Sequence, residues 1–196
     1  MGTGEEQRAR RLRMVGAVAY AAAAFLLLST LFGVLTGTLA AEDGLTVDPA
    51  TIAMTIVWLA VLLLPLWAVR WVHPDRMVRT LVAAFVGLLV LAEFSGVGYT
   101  LWGGEDASGV AVLAVSAVLS LAQLAVGLFL GVLLWRRPDG LQGLHIELSW
   151  ALIAYALLSA AWLALPEVLL PLSGVALTVV YIGLGIILRR AAVYET

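Results

Sequence analysis

The stretch "LLLPLWAVRWVHPDRMVRTLVAAF", residues 62–85, holds two apolar runs separated by a short turn that carries Arg70, Arg76 and Arg79. Each run continues well beyond the quotation, from Ala50 to Val69 on one side and from Met77 to Trp102 on the other. About 20 apolar residues in a helix cross the roughly 30 Å of a bilayer's hydrocarbon. The turn therefore joins two membrane spans. Its arginines set the side it occupies, because connections rich in Arg and Lys remain in the cytoplasm.

Working outward from this hairpin, four more apolar stretches of spanning character follow: Met14 to Ala40, Ser108 to Trp135, Leu148 to Leu165 and Leu169 to Leu188. The expected fold is all-α, a polytopic integral membrane protein built as a bundle of six transmembrane helices. The charges between spans sort by sign. Arg8, Arg10, Arg11 and Arg13, the 70–79 turn, Arg136 and Arg137, and Arg189 and Arg190 all fall on one face of a six-span chain. The opposite connections carry Glu42, Asp43, Asp48, Glu105, Asp106 and Glu167, with no basic residue. One span more or fewer would mix the two populations, so the sorting supports the count as well as the orientation. Both termini are expected in the cytoplasm of a multi-pass cell-membrane protein. Residues 1–13 form a basic cytoplasmic segment, 14–190 the six-helix domain and 191–196 a cytoplasmic tail. The opening arginines, apolar run and "TLAAEDG" resemble a secretory signal, but the run exceeds the 7–15 residues of a signal core and reads as an uncleaved span.

Composition agrees with this class. Hydrophobic residues make up 63% of the 196-residue chain and charged ones only 12%, against roughly 25% charged in soluble domains. Cysteine is absent, which excludes disulfides, thiolate metal sites and cysteine nucleophiles. Lysine is absent too, so all eleven strongly basic residues are arginine and no lysine Schiff base is open to this chain. No phosphate loop, dinucleotide fingerprint or metalloprotease pattern occurs. The two histidines, His73 and His145, fall at the cytoplasmic boundary, too few and too shallow for a transmembrane haem or a zinc site. Solvated positions are expected for both, with pH sensing as the alternative. No cofactor and no metal is expected. The lipid bilayer is the implied partner, and a homo-oligomer or a membrane-complex partner is compatible with it. The arginines attract anionic headgroups at about 1 kcal/mol each, but topology alone requires them, so no nucleic-acid role is assigned.

Several local patterns predict packing. "WVHPD" at 71–75 and "WRRPD" at 135–139 share the spacing W-x-x-P-D. Trp anchors the interface, Pro ends a helix, and Asp accepts hydrogen bonds from the free amides that open the next. A stop-and-turn device explains both copies; a duplicated helical hairpin is the alternative. Gly33 with Gly37, and Gly127 with Gly131, have the four-residue spacing that lets helix backbones approach, either within the bundle or between subunits. Trp71, Trp102, Trp135 and Trp150 read as interfacial anchors, while Trp58, Trp67 and Trp162 are expected to pack between helices. Pro65, inside a span, marks a candidate helix bend that frees a carbonyl near Val61 for a neighbour to satisfy.

Glu93 is the one acid within a span. Placed nine residues before Trp102, it lies on the order of 13 Å below the outer interface, out of snorkelling reach. No arginine or histidine shares that depth, so its expected partners are neutral: Thr55, Ser116, Ser120, Gln123, Ser159, Thr178 and Tyr181. Gly96 and Thr100 follow on the same helix face toward the outside. Glu93, Gln123, Ser116, Ser120, Thr100 and Tyr181 form the candidate polar network or transport path. Two functions follow from this pattern. The favoured one is a non-catalytic membrane component, an accessory or scaffold subunit. The alternative is a small proton- or cation-coupled transporter or channel with Glu93 as its protonatable site. No catalytic constellation is visible, and an enzyme is not expected.

Overall fold

The computed structural model describes residues 3–36, 49–102, 107–137, 139, 141, 143–161 and 166–194. Among them are six helices and no strand: α1 (Thr3–Thr36), α2 (Pro49–Val72), α3 (Arg76–Trp102), α4 (Ala107–Arg136), α5 (His145–Ala161) and α6 (Pro166–Tyr194). Each overlaps one of the six apolar stretches. Among the described residues, three helical stretches are long and apolar enough to cross a membrane: Gly4–Leu31, Ala117–Arg136 and Leu172–Val193. Shorter apolar stretches, Leu59–Val72 and His145–Ala160, accompany them. Large apolar side chains also point outward, Leu28 and Val118 each 65% exposed, a surface suited to lipid and not to water.

The helices close into a ring. Neighbours in sequence pack together along the chain, and α1 completes the circle against α6, its most extensive contact; α2 also touches α6. The α1–α6 pair is antiparallel and close. A Cβ added at Gly16 would stand 3.3 Å from the Gly185 carbonyl, and one at Gly185 would stand 2.9 Å from two Tyr20 ring atoms. Farther along the pair, Gly174 faces Thr30. Glycine here removes the side chain that would hold the backbones apart, which is how helices associate where no water drives them together.

The glycine pair of α4 has the same use. Gly127 lies under the Phe85 ring of α3, and Gly131 against Ile153 and the Ser149 carbonyl of α5. This spacing therefore serves contacts within the bundle, one glycine toward each neighbouring helix. The side chains around Gly33, and the whole of Gly37, lie outside the described residues.

The basic segment is the beginning of α1. Ala9, Leu12 and Val15 recur at three-residue spacing, are buried, and pack with Ala68, Leu188, Ala191 and Ala192 at the ends of α2 and α6. Arg8, Arg10, Arg11 and Arg13 occupy exposed positions just before and between them. An amphipathic extension thus carries the arginines on its outer face.

The two W-x-x-P-D copies behave differently. After α2 ends, Asp75 caps α3: its Oδ1 accepts hydrogen bonds from the Met77 N–H at 2.7 Å and the Val78 N–H at 3.4 Å. Asp139 is exposed and lies well ahead of His145, where α5 begins, so it caps nothing there. The intervening connection tucks Leu141 into the core and turns at Gly143, whose φ of 81° lies in the left-handed region that favours glycine. The shared spacing stops the helix at the same place in both copies, α2 at Val72 and α4 at Arg136, and only the first aspartate goes on to cap the next helix.

Candidate functional site

Of the candidate polar residues, Gln123 and Tyr181 have described surroundings that explain them. Gln123, buried on α4, donates from Nε2 to the Tyr155 hydroxyl of α5 at 3.4 Å. Tyr181, 1% exposed on α6, donates its hydroxyl proton to the Leu62 carbonyl of α2 at 2.7 Å. Pro65 lies in the same stretch of α2. Proline has no N–H and its ring crowds the carbonyl four residues earlier, that of Val61, so the preceding turn lacks part of its ladder. The Tyr181 hydroxyl goes to the neighbouring carbonyl of Leu62, whose ladder donor is the Leu66 N–H, so the bond ties α6 to α2 beside the gap without filling it. Helix α2 runs through Pro65, and the proline itself is fully buried.

Ser120 is half-buried on α4. Glu93, Thr100 and Ser116 belong to α3 and α4, but their side chains lie outside the described residues, as do those of Thr55 and Gly96. Thr178 bonds back to the Gly174 carbonyl of its own helix at 2.9 Å. Sequence reasoning missed Tyr155, the partner of Gln123; only the adjacency of α4 and α5 distinguishes it from the other tyrosines.

The second concentration of chemistry is the arginine-bearing end. Asp75, besides capping α3, forms an ion pair with Arg137 from the α4–α5 connection, so one carboxylate ties two turns together. Between them sits His73. The sequence expected a solvated loop histidine, whereas His73 is 2% exposed. Its Nδ1 accepts a hydrogen bond from the Asp75 N–H at 3.2 Å, which fixes the proton of the neutral ring on Nε2. Nε2 has no hydrogen-bond partner among the described residues. Burial pushes this imidazole below the ordinary histidine range; the adjoining Arg137 backbone and Asp139 oppose the shift, and the Arg137 and Arg79 guanidinium groups reinforce it. His145 is half-buried, its Nδ1 also without a described partner.

The lowered His73 value has a measurable sign. An unfolded histidine takes up a proton near its ordinary value of 6.5, while the folded site resists until lower pH. Stability is therefore fully present above about pH 6.5 and declines as pH falls from there toward the folded value. A His73→Asn variant, melted in detergent from pH 7.5 to 5, should lose that segment of the decline. An unchanged pH slope would show that His73 does not cause it.

Around the same end, Arg8, Arg11, Leu12, Arg70, Trp71 and Arg79 line a cleft of about 380 Å³ between α1, α2 and α3. An adjoining cleft of about 540 Å³ shares Arg70, Trp71 and Arg79 and adds Trp67, Arg76 and Thr80. Trp67, expected to pack between helices, is instead 38% exposed, with the Arg70 guanidinium over its ring at 4.1 Å. Trp71, 42% exposed, and Trp135 and Trp150, whose tilted rings lie 5.8 Å apart, hold the outward positions expected of anchors. Trp58, Trp102 and Trp162 have no described surroundings. No protein-family model, curated protein or solved structure matches this chain.

Proposed function

We propose that this protein is a six-span component of the cell membrane, both termini cytoplasmic, that works through its surfaces as an accessory or scaffold subunit and not by catalysis. The observation that carries this reading is how the polar side chains of the bundle are used. Gln123 and Tyr181 each bridge two helices, and Thr178 and Ser149 each return to a carbonyl of their own helix. Groups spent in this way hold the bundle together. A permeation path needs polar atoms turned toward its passenger.

Reconstitution tests the reading against its alternative, a transporter or channel using Glu93. Vesicles containing the protein should hold an imposed proton gradient as long as protein-free vesicles do, and Glu93→Gln should change nothing. A faster collapse that disappears in Glu93→Gln would replace the component reading with the transport one. The particle extracted in mild detergent should also exceed the 20.8 kDa chain plus lipid in native mass.

The absence of cysteine makes the topology directly testable, since each introduced thiol is the only one. In sealed cells, an impermeant maleimide should label Asp43→Cys and Glu105→Cys and spare Arg76→Cys and Arg136→Cys. The opposite pattern would invert the orientation; labelling within both groups would overturn the six-span count.

A further inference from the structure

We propose that the paired clefts between α1, α2 and α3 form a binding site for a phosphate-bearing anion presented at the membrane surface. Positive-inside charges need only lie on one side of the bilayer; they do not need to converge. Here five arginines, Arg8, Arg11, Arg70, Arg76 and Arg79, drawn from three helices, line two adjoining clefts. Among the described residues none lining them is acidic, and Arg11, Arg70, Arg76 and Arg79 have no carboxylate partner. The nearby acid, Asp75, is committed to Arg137 and to the cap of α3. Like charges gathered without counter-charge repel one another, and a bound oxyanion reverses the sign of that interaction.

The walls are also held in place before any ligand arrives. Arg8 donates from Nη2 to the Trp71 carbonyl at 2.9 Å, strapping the basic turn of α1 across the end of α2. Arg70 rests on Trp67, and its Nε is shielded from solvent with no hydrogen-bond acceptor among the described residues. A buried donor without an acceptor is costly, and a phosphate oxygen is an acceptor suited to it. Guanidinium groups bind phosphate through paired N–H donors, which a chain with arginine as its only strong base can supply in quantity.

The chemistry is that of a phosphate oxyanion, and its source is either a lipid headgroup or a soluble phosphate. Full-length protein in zwitterionic nanodiscs is compared with nanodiscs containing phosphatidic acid, by native mass spectrometry of retained lipid. In parallel, inorganic phosphate is titrated into zwitterionic nanodiscs at constant ionic strength with chloride as the reference. The cleft variant is Arg70→Gln with Arg79→Gln. The charge-matched control is Arg136→Gln with Arg190→Gln, neither of which lines the clefts.

At a few-fold in affinity per arginine near the surface, the cleft variant should bind the anion at least about 10-fold more weakly, the control within about 2-fold of wild type. Loss confined to the phosphatidic-acid arm identifies a lipid headgroup; loss confined to the inorganic-phosphate arm identifies a soluble anion; either supports the site. Equal loss in cleft variant and control, or no difference between wild type and cleft variant in both arms, overturns it. Should the cleft variant fail to fold, Arg11→Gln with Arg76→Gln, which keeps Arg70 on Trp67, is held to the same outcomes.

Discussion

Gly185→Leu is expected to lower the melting temperature of the detergent-solubilised protein by roughly 5–10 °C, because it wedges open the most extensive helix contact of the bundle. The first side-chain carbon alone would stand 2.9 Å from two atoms of the Tyr20 ring and 3.1 Å from a third. The Arg189 guanidinium lies over the same ring at 5.2 Å, so turning Tyr20 aside would also undo that contact in the α1–α6 seam. The helices must separate or slide, and forced overpacking of this kind destabilises by about 1–3 kcal/mol or more. Gly87→Leu supplies the control. An added Cβ there meets nothing within 4 Å, so the same change of residue should leave the melting temperature nearly unmoved. Equal losses at both positions would show that leucine acts through something other than the α1–α6 seam.

The second large effect concerns the donor to α2. Tyr181→Phe keeps the ring in its buried site and deletes only the hydroxyl, leaving the Leu62 carbonyl without its outside donor in the turn that Pro65 interrupts. Losing one buried hydrogen bond between α6 and α2 costs about 0.5–1.5 kcal/mol. Pro65→Ala supplies the means of attributing that loss. The N–H it restores belongs to the Val61 carbonyl and not to Leu62, so Tyr181→Phe should do the same harm in the Pro65→Ala background. A markedly smaller loss there would mean that the tyrosine serves the gap the proline opens.

How much of this was legible beforehand depends on the range of the interaction. The six helices follow from apolar run lengths and the arginine turns, both local properties, and their bounds differ from the apolar stretches mainly where helix continues past the hydrophobic part, as at Thr3 and Tyr194. The gap that Pro65 leaves in α2 was also local, and readable. That Tyr181 donates to this turn was not, because the pairing requires α2 to touch α6, a neighbourhood that no sequence spacing encodes. His73 shows the opposite failure. A turn full of charge suggests solvent, yet the α4–α5 connection brings Arg137 and Asp139 alongside and the ring is enclosed. The arginine clefts went unread for a different reason. Topology gave those charges a sufficient explanation, and the apolar row Ala9, Leu12 and Val15, which aims the intervening arginines, was hidden inside a segment read only for its charge.

The seam between α1 and α6 also sets an order of events in biosynthesis. The ribosome delivers α1 before the other five helices and α6 after them, so the face of α1 carrying Gly16, Tyr20 and Thr30 waits for its partner until those helices have been made. Contacts so distant along a chain form late, and a surface left open meanwhile is the one that chaperones and proteases encounter. A nascent chain halted short of position 174 therefore presents an α1 with its tightest contact unmade, a handle by which quality control can tell an unfinished copy from a finished one.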